Sequence, residues 1–76
     1  MAAGKYKDLS DRFPKVLKEA RLQKGISQEE LAGLAGLHRT YISQIERGLK
    51  SPSLRSLGQI ADALGILLST LIRRME

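Results

Sequence analysis

Arg39, Thr40, Ser43 and Gln44 stand close together in the segment RTYISQIERG, Arg39 to Gly48, with Ile42 and Ile45 between them. Arginine can read guanine through two parallel hydrogen bonds, glutamine can read adenine, and threonine offers both a hydroxyl and a methyl group. The same types also decorate ordinary solvent-facing helices, so spacing has to decide. At about 100° per residue, Arg39, Ser43, Arg47, Thr40 and Gln44 fall within an arc of about 140°. Tyr41, Ile42, Ile45 and Leu49 take the other side, and Glu46 falls at the border towards the core. A helix divided in this way can lie in a major groove without presenting a negative charge to nucleic acid.

The elements that would hold such a helix follow from helical periodicity along the chain. The first ten residues are polar and contain Gly4. Residues 1–11 therefore read as a mobile arm, with Lys5, Tyr6 and Lys7 in a disordered tail rather than in a minor groove. Phe13, Val16, Leu17 and Ala20 form one apolar stripe, and Pro14 suits a first turn, which starts a helix near Arg12. Gly25 closes it. Ser27-Gln28-Glu29-Glu30 fits a capping box and opens a second helix that runs to about Ala35. Gly36 supplies the positive φ of a tight turn, and a third helix runs from about His38 to Arg47. Ser53 caps a fourth helix, with Leu54, Leu57, Ile60, Ala61 and Leu64 inside and Gly65 ending it. Gly58 in its middle either allows a close backbone approach or is simply tolerated. Leu67 to Met75 forms the fifth.

Composition narrows the chemistry. At 76 residues the chain is one domain, and a formal charge of +5 with a pI of about 10.0 favours a polyanionic partner, most simply nucleic acid. There is no cysteine and His38 is the only histidine, so disulfides, thiolate metal sites and a zinc site are not expected, nor is any other cofactor. Glu29 and Glu30 serve a helix start better than acid–base work, and no nucleophile, base and orienter group together, so the chain does not read as an enzyme. Nothing resembles a signal peptide or a membrane span, which places the chain in the cytoplasm, with the nucleoid, and not at a membrane.

Small Ala32 four residues before Gly36, and Ile42 six residues after it, give the spacing of a helix-turn-helix, whose second helix is the reader. Residues 12–76 resemble the Cro/CI-type (XRE-like) helix-turn-helix of phage repressors. The run SQEELAGLAGLHRTYISQIERG, followed by SPSL and ALGI, is most similar to the small controller proteins of restriction-modification systems. The resemblance implies an all-α, compact five-helix bundle with the motif in helices 2 and 3. It puts Gln28 at a phosphate, Arg39, Thr40, Ser43 and Gln44 on base edges, and Arg47 and Lys50 near the DNA backbone. It also pairs Arg21 with Glu46 as an ion pair joining the first helix to the end of the third. Gly33, where many relatives carry a longer polar residue, weakens the second helix.

Two residues near the reader stay open on their own chemistry. His38 could cap the third helix or reach a phosphate, and Tyr41 could be half-buried support or a phosphate contact through its hydroxyl. Leu67, Leu68, Leu71, Ile72 and Met75 spread over about 140° of the last helix, wider than its own core needs, which points to a two-fold dimer. The sequence thus reads as a sequence-specific regulator of transcription, binding a palindromic double-stranded operator as a homodimer and contacting or excluding RNA polymerase. An antitoxin, or a coactivator-like interaction module on the same fold, are the rival readings.

Overall fold

The structure is a computed structural model and describes residues 9–76, so most of the arm expected over residues 1–11 lies outside the described residues. The described residues form five α-helices and no strand: α1 Leu9–Lys24, α2 Gln28–Ala35, α3 Arg39–Glu46, α4 Leu54–Leu64 and α5 Leu68–Arg74. α2 packs on α3 and α4, α1 lies across α3 and α4, and α5 packs on α4. One core joins them, built on Phe13, Leu17, Leu31, Ile42, Ile45, Ile60 and Leu71.

α1 starts at Leu9, three residues before the position that Pro14 suggests, and carries Pro14 inside it. Proline lacks the N–H that would bond the carbonyl of Ser10, so this early turn has one helical hydrogen bond fewer. Tertiary packing keeps it helical nonetheless. Leu9 lies against the core and shares an apolar groove with Phe13, Leu57, Ile72 and Met75. Phe13, Leu17, Ala20 and Arg21 form the buried face, at helical spacing.

Local chemistry sets the start of α2. The Ser27 hydroxyl accepts from the Glu30 N–H at 3.0 Å, and the Glu30 carboxylate accepts from the Ser27 N–H at 2.9 Å. The Ser27 backbone bond, then its side chain, holds the Glu30 carboxyl below the usual carboxylate range. At the other end Gly36 has φ +69°, and the next residue, Leu37, donates its N–H back to Ala32 at 2.9 Å. A β-carbon at this φ would be strained, which is why the tight turn into α3 carries glycine. Gln59 of α4 donates to the freed Ala35 carbonyl at 3.0 Å, so the turn is tied to the helix beneath it.

α4 departs from its expected inner face at one position. Leu54, its first residue, is 78% exposed, whereas Ser56 is buried. Ser56 tolerates burial because its N–H bonds Ser53 Oγ at 3.0 Å and its hydroxyl oxygen accepts from Ser53 at 2.9 Å. Gly58, further along, has open space where a β-carbon would stand, so it makes no close approach. Gly58→Ala is therefore expected to stabilise the fold by about 1 kcal/mol. In a thermal melt this raises Tm by about 4–8 °C.

Candidate DNA-reading surface

α3 is held from below by Ile42 and Ile45, both fully buried, and joined at its C-terminal end to α1. Arg21 Nε donates to Glu46 Oε2 at 2.7 Å and Arg21 Nη2 to Glu46 Oε1 at 3.0 Å, a two-pronged pair. The side chains of Arg21 and Glu46 keep only 10% and 3% of their surface exposed. Hydrogen bonding to Glu46 raises the Arg21 guanidinium above its ordinary value, against the opposing effect of burial. Arg21 Nη1 also reaches the Ile26 carbonyl at 2.9 Å, which ties the α1–α2 turn to the same point.

Above this support, Arg39, Thr40, Ser43, Gln44 and Arg47 line one open recess of ≈ 320 Å³, together with Gln28 of α2 and Leu49 beyond α3. No carboxylate lines it. Arg39, Thr40 and Arg47 are exposed, and Ser43 and Gln44 are half-buried, so the polar arc faces outwards with its ends free.

The other residues singled out from sequence sit elsewhere. His38 occupies the position before α3 but makes no capping hydrogen bond, and its side chain is exposed. Lys50 is exposed in the loop after α3, outside the recess. The Tyr41 hydroxyl accepts from the Ser53 N–H at 3.2 Å, so this half-buried ring braces α3 against the start of α4. Burial opposes ionisation of Tyr41. Hydrogen bonding with Ser56 and Ser53 and the nearby Lys50 charge outweigh it, leaving the phenol below its usual value.

Among the residues assigned to a dimer, Leu71 and Met75 belong to the monomer's own core, at 0% and 6% exposure. α5 has to bury part of its wide apolar arc simply to dock on α4. Leu67 remains 72% exposed, and Leu68 and Ile72 are half-buried. Sequence reasoning assigned no role to Leu49 at the recess and did not anticipate the bond between Gln28 Nε2 and Glu46 Oε1, at 3.1 Å. Periodicity puts Leu49 on the apolar side of α3, yet it follows the helix end and is exposed.

Two helices crossed over a glycine turn, with an outward polar face on the second, define a helix-turn-helix. The family model described as "Helix-turn-helix" matches residues 17–71, and the chain belongs to that family of DNA-binding regulators. It is 43% identical over 70 residues to the control protein C.MunI of a Mycoplasma species, covering 91% of this chain and 95% of that one. The restriction-modification controller protein C.AhdI of Aeromonas hydrophila superposes with a TM-score of 0.78 at 44% identity, over 87% of this chain and 98% of that one. The controller C.Esp1396I gives 0.82 at 36% identity, over 88% and 86%. Its solved structures include variants at three consecutive positions, an arginine, a threonine and a tyrosine.

Proposed function

We propose that this chain is a controller of restriction-modification genes that reads a palindromic operator as a homodimer. The observation that carries this is the recess. It gathers two arginines, Gln28, Gln44, Thr40 and Ser43 on one outward face, with no carboxylate among its walls. Arg39, Thr40, Ser43 and Gln44 meet base edges in the major groove, with Arg47, Gln28, Lys50, His38 and Tyr41 at the flanking phosphates. The Arg-Thr-Tyr run at residues 39–41 supports this, since the same three residue types in succession were the ones varied in C.Esp1396I.

The two-fold contact runs through α5. Its available surface is Leu68 and Ile72, with Leu67 at the cap just before the helix, and Ile72 continues into the apolar groove lined by Leu9, Phe13, Pro52 and Leu57. An isologous contact there would set two reader helices about 34 Å apart, one turn of DNA. At a promoter such a dimer acts by position, occupying its operator and contacting or excluding RNA polymerase.

Selection from a random duplex pool tests the reading. The expected result is a two-fold symmetric site with half-sites about one turn apart, bound by a species that sediments as a dimer. Enrichment of no sequence would overturn the regulatory reading. A species that stays monomeric at micromolar concentration, both free and on the selected DNA, would overturn the dimer.

A further inference from the structure

Glu46 has a second partner besides the arginine of α1. Its Oε1 accepts from Gln28 Nε2 at 3.1 Å as well as from Arg21 Nη2, and Oε2 accepts from Arg21 Nε. An ionised carboxylate can only accept. The Gln28 amide must therefore turn its NH2 end to Glu46, which removes the two-fold ambiguity a glutamine amide otherwise carries. One N–H and the carbonyl oxygen of Gln28 are left over.

Those leftover groups stand in a particular place. Gln28 is the first residue of α2, where the backbone N–H groups of Gln28 and Glu29 lie outside the capping box of Ser27 and Glu30. It also lines the recess with Arg39 and Arg47, whose charges draw a phosphate to the same side. Glu46 does not oppose that attraction, because Arg21 neutralises it and its side chain is almost wholly covered.

We propose that Glu46 is a positioning residue for DNA binding: by gripping one N–H of Gln28, it aims the other at a backbone phosphate beside the recess. This rests on the recess being the DNA-reading surface. The role differs from holding α1, since it acts on affinity through Gln28 and not through the amount of folded protein.

The test uses duplex DNA carrying the site selected by the unaltered protein, at a temperature where circular dichroism shows each variant folded. Glu46→Gln keeps the shape and one acceptor for Arg21, but its own amide no longer dictates which end Gln28 presents. Glu46→Gln and Gln28→Ala are each expected to weaken binding about fivefold, and the double variant no more than Gln28→Ala alone. Equal further loss from Glu46→Gln in the Gln28→Ala background would overturn the proposal, as would no loss from Glu46→Gln in the parent.

A second measurement needs no variant. In the NMR spectrum of the unaltered protein, one Gln28 side-chain amide proton is expected downfield before DNA is added, and the other is expected to follow on binding. If neither moves, the proposal fails. If the unaltered protein selects no duplex at all, the DNA reading falls, and this inference with it.

Discussion

Glu46→Ala is expected to lower folding stability by about 3 kcal/mol, because it strands a buried guanidinium. Arg21 sits 8% exposed between α1 and α3 and has few other acceptors: its Nη1 keeps the Ile26 carbonyl, while Nε and Nη2 lose both carboxylate oxygens. The exposed pair Lys15–Glu19 offers a contrast. At 4.0 Å, with 83% and 58% of the side chains in solvent, its loss should cost at most a few tenths of a kcal/mol. Stability of the whole domain is on the order of 4–11 kcal/mol, so the Glu46 loss is a large fraction of it. Removing both partners together should cost clearly less than the sum of the single losses, because no unpaired charge is then left behind. A denaturation cycle over Glu46→Ala, Arg21→Ala and the double variant checks this, and additive losses would refute coupling.

The second large effect concerns affinity. Arg39→Ala should weaken binding to the selected operator by about 1–3 kcal/mol per half-site and relax discrimination at one base position. Arg39 opens α3, is exposed, and lines the recess, so its guanidinium can reach into a groove without first breaking an internal bond. Lys50→Ala should behave differently. It lies in the loop outside the recess, and its loss should weaken binding to every sequence alike and lower the salt slope by about one. Titrations on operator and on random duplex at several salt concentrations separate the two. Equal losses for Arg39→Ala on both DNAs would make it a phosphate contact.

Features set by near neighbours in sequence were legible from the sequence. Ser27 and Glu30 are three residues apart and complete their capping box without help from the rest of the fold. Gly36 and Gly65 take the positive φ that ends α2 and α4. The division of α3 into an apolar and a polar side follows from periodicity alone, and the recess lines up with its polar arc. What periodicity cannot tell is which apolar surface faces the monomer and which a partner. Leu71 and Met75 read the same as Leu67 in a wheel, but only their position against α4 and α1 buries them. Pro14 misplaced the start of α1 because the packing of Leu9 outweighs a local rule. The Gln28–Glu46 bond spans 18 positions and obeys no helical repeat, so nothing in the sequence pattern announces it.

The first and last helices are also stapled together. Arg12 Nη1 donates to the carbonyls of Met75 at 3.0 Å and Glu76 at 3.1 Å, across 63 and 64 positions of the chain. α5 is only seven residues long, too short to persist by itself in water, and the residues that close it, Met75 and Glu76, are held by a side chain from α1. The two ends of the fold therefore cannot fray independently. Opening the last turn of α5 releases Arg12, and opening the early turns of α1 uncaps α5. Amide hydrogens at both ends should then exchange with solvent through one shared opening, a single cooperative unit assembled from the two most distant parts of the described sequence.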